Sequence, residues 1–564
     1  MKRIVTILAF ACFALGAGAQ DTYWAQLLSR NNYYGTARSI ALGNAMTALG
    51  GDLGSVGINP AGSAVNSFGQ FTITPAMLFQ STAVSWSSSG DVNFDAPSTT
   101  SHSKFNLPNV GATMVLYTGN NYGLKHITLG FVLNNTDTYL NYTSARGSNP
   151  YTSLLGDIAG NAYGLEYADM SRSQKAAYCA NQIGEFGPEG SLRYSGANQM
   201  VDKDDMYAYL PGTLDQWAES KTYGTKKDFI TNIGFNISDN FYFGFNLGIP
   251  TSKYRNEEFF QESAQAPVQF PVNFVDDDGK HLGVEGEPTT YYKSSTNGYK
   301  LNSDVSGIYG KFGLIWLPTK SLRVGAAIQT PTFMTIEESW QYTASTTYEN
   351  SKYNGSAKSD VGSASYRLRT SYEVNAGVAY TFGGFGLLSV DYEMMDYSVM
   401  KFSDLENDYF SDDTWAETNL CNKLFYGVSH SVRAGLEVKP LPELTVRAGY
   451  SLVTSPERYA LDLDGYEVSP ENWQGASQLL SDFHYYKGHN IHAFSLGLGY
   501  SSPGSFFADA TVRLTKYPVE YFVPYFFPDY EVLTSTGSPA NVAMPYEKFE
   551  KSIVDAVVTF GWRF

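Results

Sequence analysis

Residues 552–564, SIVDAVVTFGWRF, decide the fold: Val554, Ala556, Val558, Phe560, Trp562 and Phe564 share one parity and are all apolar, while Asp555, Thr559, Gly561 and Arg563 fall on the other. Successive side chains of a strand point to opposite faces, so one face suits lipid and the other a polar lumen. Phe564 also ends the chain on an aromatic in phase with Phe560 and Trp562, the terminal signal that barrel-assembly machinery reads in bacterial outer-membrane proteins. A strand of a soluble sandwich alternates in the same way, so the rest of the chain has to choose between them.

The front of the chain agrees with its end. Lys2 and Arg3 precede an apolar run over 4–15, and Ala17-Gly18-Ala19 supplies an A-x-A cleavage pattern. This predicts a signal peptide over 1–19, a mature start at Gln20 and export. Cys12 follows Phe10 and Ala11 rather than a lipobox, and only Cys179 and Cys421 remain after cleavage, which leaves one disulfide open and no disulfide framework. No later window holds the roughly 18–20 consecutive apolar residues of a membrane helix. Aromatic residues make up 15%, with 42 Tyr and 35 Phe, and 53 Gly are spread through alternating segments, as expected of short strands with lipid on one side. A soluble chain of 564 residues would divide into two or more domains, and no linker or change of composition does so. The net charge of −17 argues against nucleic acid, which needs a basic face.

The clearest hairpin runs over 228–249, where Ile233, Phe235 and Ile237 lead through Ser238-Asp239-Asn240 into Phe241, Phe243, Phe245, Leu247 and Ile249. The pattern recurs from Ile308 to Trp316 across Pro318-Thr319-Lys320 into 322–328, and from Val374 to Tyr380 across Gly383-Gly384 into 388–394. Further hairpins join 432–438 with 444–452 and 494–500 with 508–514; with segments near 71–83, 105–118 and 124–143 and the last strand, the count is about fourteen. Connections alternate between short ones, such as 238–240 and 440–443, and long ones near 84–104, 144–227, 256–302, 345–367, 404–427, 454–490 and 518–549. Short turns on one side and long loops on the other are the mark of a barrel with both termini in the periplasm, so the expected class is an all-β transmembrane antiparallel barrel.

The opposite parity of these strands carries Lys311, Arg323, Glu373, Asp391, Glu393, Arg433, Glu437, Arg447, Asp509, Arg513, Asp555 and Arg563, which are expected to line the lumen. Both signs are interspersed, which fits a lumen cross-linked to itself or to a plug better than a selective open pore.

About fifty residues before the first strand do not alternate, and Gly43, Gly50, Gly51, Gly54 and Gly57 permit the tight turns of a compact piece that a barrel can enclose. The stretch GTARSIALGNAMTALGGDLGSVGINPAG (35–62), with Asn59-Pro60-Ala61 near its end, resembles the N-terminal hatch of the FadL/TodX family of outer-membrane transporters for long-chain fatty acids and other hydrophobic compounds. The resemblance continues through 311–333, 387–402 and 432–459. It implies a fourteen-stranded barrel (67–564) enclosing a hatch (20–66 with the extension before it), in which Gly57, Asn59, Pro60 and Ala61 form the hatch motif. It also implies a hydrophobic small-molecule ligand, contact with outer-membrane lipid and lipopolysaccharide, a monomeric barrel, and neither catalysis nor a cofactor. The chain departs from the family in its insertions at 144–227 and 256–302 and in roughly ten extra residues before the hatch motif.

In that family the ligand leaves sideways through an inward kink of the third strand, a route that spares a hydrophobic molecule a water-filled pore. Here Ile127, Leu129, Phe131 and Leu133 are odd, but after Asn134-Asn135-Thr136-Asp137 the apolar Leu140 and Tyr142 are even, so a bulge or a broken ladder is expected and 134–137 is the candidate lateral gate. Residues 165–186 read as a helix capped by Ser171, with Ala176, Ala180 and Ile183 forming an apolar face toward incoming ligand.

Other sites read weakly. His484, His489 and His492 converge only in a loop, and the acidic runs 202–205, 276–279 and 462–467 lack full EF-hand spacing, so no metal site is expected. No G-x-S-x-G, H-E-x-x-H, Walker A or C-x-x-C motif is present. Two other readings stay open: a barrel platform for protein export like the PorV-type members of type IX secretion, which share a Gly-rich run ending in Asn-Pro-Ala, and a haem or siderophore-type receptor.

Overall fold

The computed structural model describes residues 22–564 apart from 88–94, 188–189, 202–207, 276–280, 283, 285, 406–413, 458–459, 462–466, 469–483, 488–489, 523, 526–531, 534–538 and 541–544. The expected signal peptide, the three acidic runs in whole or in large part, and His489 therefore lie outside the described residues.

Fourteen antiparallel strands form one closed barrel. They are β1 (Gln70–Ser87), β2 (Ser98–Tyr117), β3 (Leu124–Thr138, resumed as Asn141–Asn149), β4 (Leu214–Ile237), β5 (Phe241–Ala264), β6 (Thr290–Trp316) and β7 (Leu322–Gln329, resumed as Phe333–Tyr348). Next come β8 (Gly362–Arg369, resumed as Glu373–Thr381), β9 (Gly386–Asp396, resumed as Lys401–Asp404), β10 (Val428–Val438), β11 (Leu444–Val453), β12 (Ile491–Ser501), β13 (Phe506–Lys516) and β14 (Tyr546–Arg563). Each strand pairs with its neighbours in sequence, and β14 closes on β1 from Gln70 opposite Arg563 to Ser87 opposite Tyr546. Closure satisfies the backbone groups that an open sheet edge would leave without partners in lipid.

The parity rule holds in space. Phe71, Phe79, Phe131, Phe245, Ile249, Phe312, Ile328, Val390, Leu496, Phe560 and Trp562 face outward and are exposed, whereas Asp555 and Thr559 are fully buried on the inner side. An outward apolar band around a closed barrel is what a bilayer selects. The turn at 238–240 holds Ser238 and Asp239 at φ 56° and 59°, and Asn236 pays that local strain back by donating to Asp239 Oδ1 at 2.8 Å and accepting from its N–H at 2.9 Å.

The sequence predicts a loop over 256–302, but β5 continues to Ala264 and β6 begins at Thr290. Beyond Pro250 the outward positions become Thr251, Lys253, Arg255 and Glu257, because the strands have risen above the lipid and their alternation of apolar with polar residues disappears. The same holds for β4, which starts at Leu214 inside the expected 144–227 loop.

The expected helix over 165–186 is shorter. It spans Arg172–Cys179 and is capped by Ser171 in a capping box with Gln174, while Ile183 belongs to a short strand, Ile183–Phe186. Ala176 and Ala180 pack on Ala344 of β7, so the apolar face is covered by the barrel rather than offered to ligand. Cys179 is free and exposed, so the open pairing of Cys179 with Cys421 is not formed.

Candidate functional site

Residues 22–66 fold as two short helices, α1 (Thr22–Ser29) and α2 (Ala37–Ala41), followed by 3-10 turns over Leu53–Gly57 and Pro60–Val65. Their contacts run around the inward face of the barrel. The Ala37 N–H donates to Thr559 Oγ1 of β14 at 2.7 Å, Ser495 of β12 and Thr511 of β13 donate to the Ala41 and Ala37 carbonyls, and Asn246 of β5 donates to the Val56 carbonyl. Asn59 caps the second turn through its Oδ1, which accepts from the Ala61 N–H at 3.0 Å. Its Nδ2 donates to the carbonyls of Thr47 at 2.7 Å and of Leu314 in β6 at 3.1 Å, while the Pro60 carbonyl accepts from Asn232 of β4. The wall carries glycine at this seat because a Cβ on Gly313 would stand 2.0 Å from Asn59 Oδ1, and one on Gly244 would stand 2.3 Å from the Pro60 carbonyl carbon. A Cβ on Gly57 would meet Asn134 Nδ2 at 2.9 Å, which puts Gly57 directly against one of the candidate gate residues.

Ten of the twelve expected lumen charges are buried; Arg323 and Arg563 are only half-buried. Most pair with one another. Lys311 and Glu373 lie 2.6 Å apart, Arg433 and Glu393 3.0 Å, Arg513 and Asp555 2.7 Å, and Arg447 bridges Glu437 at 2.7 Å and Asp509 at 2.5 Å. Four of the twelve also hold residues 22–66: Arg38 joins Glu437 at 3.0 Å, the Thr47 N–H donates to Asp391 at 2.6 Å, Tyr33 donates to Glu373 at 2.6 Å, and Arg323 donates to the Leu49 carbonyl at 2.8 Å. Arg563 lies over the rings of Phe507 and Phe68 and donates to Ser501. Buried charges have to be paired, and here they bind the N-terminal segment to the wall.

The ladder between β2 and β3 runs only from Tyr117 opposite His126 to Asn109 opposite Asn134. Above Asn134, β3 pairs with β4 alone, shifts register between Asn135 and Asp137, and resumes at Asn141. Asn134, Asn135, Thr136 and Asp137 are all buried. On the side vacated by β2 the N-terminal segment takes over: the Asn32 N–H donates to the Thr136 carbonyl at 2.7 Å, the Tyr34 N–H donates to the Asn135 carbonyl at 3.0 Å, and Arg30 pairs with Asp137 at 2.6 Å. The resumed part of β3 lies inside the barrel, since the Tyr142 N–H donates to Gln80 of β1 and a Cβ on Gly147 would collide with Trp86. Across the resulting break, Lys104 of β2 reaches past β3 and donates to the Gly224 carbonyl of β4 at 2.8 Å.

Two cavities adjoin this region. An inner one of about 130 Å³ lies between α1 and the wall, lined by Leu27, Arg30, Tyr139, Tyr254, Met395 and Tyr397 among others. An outer one of about 330 Å³ lies toward the long loops, and Asn141 of β3 and Glu520 line both. Neither cavity is legible in the sequence, because their walls come from strands far apart in the chain, among them β3, β4, β5, β6, β7 and β14, which only closure brings together. Around α1, Trp24, Leu27 and Leu28 pack into an apolar cluster with Tyr254, Leu301, Met334, Ile336, Leu368 and Phe402 from the inner faces of β5 to β9.

His492 Nδ1 lies 2.9 Å from the Tyr450 hydroxyl, and among the described residues no group of His, Cys, Asp or Glu is arranged to hold an ion.

No family model and no curated protein matches the chain. Among solved structures it is similar to a Pseudomonas aeruginosa FadL homologue, at 10% identity over 94% of this chain and 98% of that one with a TM-score of 0.46. It is similar to the P. putida toluene transporter TodX at 12% identity over 95% and 99% with a TM-score of 0.46, and to the Ralstonia pickettii toluene transporter TbuX at 14% over 95% and 100% with a TM-score of 0.41. At these values the likeness carries no weight for function, which rests on the geometry.

Proposed function

We propose that the chain is an outer-membrane conduit for hydrophobic small molecules of the FadL/TodX kind, exported by a signal peptide over 1–19, with residues 20–66 as hatch and the barrel over 67–564. Ligand enters the outer cavity, reaches the inner cavity when α1 yields its apolar seat, and leaves sideways where β2 and β3 part. An apolar molecule is stabilised at each stage by contact with apolar surface and is delivered to lipid without crossing water. The observation that carries this reading is the substitution at the break: Asn32 and Tyr34 pair with Thr136 and Asn135 where β2 no longer does, so movement of the hatch and opening of the wall are one event.

The charged lumen fits the same role. Its charges anchor the hatch, through Arg38 on Glu437, Tyr33 on Glu373 and the Thr47 N–H on Asp391, and the interspersed signs suit a plugged lumen better than a selective ion pore. Extraction of bound lipid from the purified protein, together with uptake of a labelled long-chain fatty acid and of toluene in a deletion strain, tests the proposal. Bound hydrophobic compound and reduced uptake of at least one are expected; unaltered uptake of both and no bound compound would remove it, and co-purifying secreted proteins would favour the export platform.

A further inference from the structure

The outer cavity has an unusual lining for a site that greets a fatty carboxylate. Phe260, Phe522 and Phe549 form one wall and Tyr299 and Tyr342 another, with the two tyrosine rings 4.9 Å apart. Among these aromatics stand Asp157, Glu219, Glu258, Glu520 and Glu547, and no Lys or Arg lines the cavity among the described residues. Glu219 is matched by Lys221, which lies outside the lining. Glu547 is different: its side chain is only 2% exposed, and one of its carboxylate oxygens has no hydrogen-bond partner among the described residues. A buried carboxylate oxygen without a donor costs free energy that a bound partner would recover.

We propose that the outer cavity binds an organic cation with an apolar body, a quaternary or protonated amine, in preference to a carboxylate or a neutral hydrocarbon. Carboxylates supply the counter-charge, aromatic faces attract an ammonium through their negative quadrupole, and the aliphatic or aromatic remainder of the ligand is buried against the same rings. A carboxylate ligand would meet five acids and, among the described residues, no cation in the lining. A bare metal ion fits poorly, because the acids do not converge on a common point and no metal-binding group is formed among the described residues. Desolvation pushes the Asp157 carboxyl up to about 8, with the hydrogen bond from Asn161 opposing it, so in the empty cavity it is largely neutral near pH 7 and a bound cation would favour its ionisation. The inference rests on the conduit reading for the direction of ligand travel and deepens it by fixing the charge of the ligand.

The test uses the full mature chain in lipid nanodiscs and isothermal titration with benzyltrimethylammonium and, separately, 3-phenylpropanoate. The ammonium is expected to bind at least about tenfold more tightly than the carboxylate. Glu547→Gln is expected to weaken the ammonium by about fivefold or more, with the heat-modifiable gel shift of the barrel retained. Glu258→Gln, at an exposed position, is expected to narrow the same preference. Equal affinity for the two probes, or wild-type ammonium affinity in both variants, would overturn the proposal, as would displacement of the ammonium by an equal concentration of calcium. Failure of the conduit reading is seen separately, as an ammonium that binds to the purified protein but enters wild-type and deletion strains equally.

Discussion

The hairpin of β1 and β2 meets the rest of the barrel along two seams, and they are built differently. On the β1 side the ladder to β14 holds sixteen residue pairs, from Gln70–Arg563 to Ser87–Tyr546. On the β2 side the ladder to β3 holds nine and stops at Asn109–Asn134. Next to the complete seam, Arg513 and Asp555 form a buried ion pair that ties β13 to β14. The incomplete seam is spanned instead by Lys104, by the ring of His102 stacked 4.2 Å from Tyr142, and by the N-terminal segment on the inner side. What sets the β2–β3 seam apart is that β2 continues from Asn109 back to Ser98 with no ladder to β3, so side chains and the N-terminal segment make the contacts there.

The largest expected effect is at the complete seam. Arg513→Met leaves Asp555, fully buried, without its ion partner and is expected to cost about 3–5 kcal/mol. The measurement is the urea midpoint of the barrel in detergent. At the short seam, Arg30→Ala removes the bond to Asp137 and is expected to cost about 1.5–3 kcal/mol locally. Hydrogen exchange should show it at the Asn32 and Tyr34 amides, with faster uptake of hydrophobic compound, while the urea midpoint moves little. If the Arg30 change lowers the midpoint as much as the Arg513 change does, the two seams are not distinct.

Smaller effects sharpen the contrast in the loops and at the outer edge. Asp157 is expected to make cation binding in the outer cavity pH-dependent. With its carboxyl raised to about 8, it is neutral below that value and charged above it, so ammonium affinity rises as pH passes through about 8. In the empty protein the sign reverses: the raised carboxyl stabilises the fold fully below the ordinary carboxyl range, and that contribution is lost as pH rises through about 8. Asp157→Asn should remove the Asp157 share of both profiles. Glu219 with its Lys221, Glu258, Glu520, Glu547, Tyr299 and Tyr342 face the same cavity, and Arg172 stands near Tyr342, so the step measured is the part lost in the Asn variant. Lys104→Met removes one bond to a backbone carbonyl at a half-buried position and is expected to cost only about 0.5–1.5 kcal/mol. It should raise uptake slightly without changing the urea midpoint.

The sequence made the complete seam legible and the short one only partly so. Lipid imposes strict parity on its neighbours, and Val554, Phe560 and Trp562 could be assigned to a face without coordinates. The phase flip after Asn134 marked the place where β3 changes, because a one-residue slip leaves a trace in the pattern. It carried no information on what replaces β2 there, since Arg30, Asn32 and Tyr34 lie 107 residues or so away and show no period of their own. The lumen charges were assigned to the correct face by the same parity, but their partners were not: Arg38 meets Glu437 across 399 residues, a pairing set by closure alone. The upper parts of β4, β5 and β6 were hidden because above the lipid their outward positions turn polar and the strict alternation is lost.

The central claim is that the hatch and the wall open together at the short seam. Tyr34 and Asn135 face each other in an antiparallel bridge, a spacing that suits a disulfide. In a Cys179→Ser background, Tyr34→Cys with Asn135→Cys should give a barrel whose uptake of labelled hydrophobic compound stops under oxidising conditions and returns on reduction. Equal uptake by the oxidised and reduced forms, with the cross-link confirmed by mass spectrometry, would contradict it.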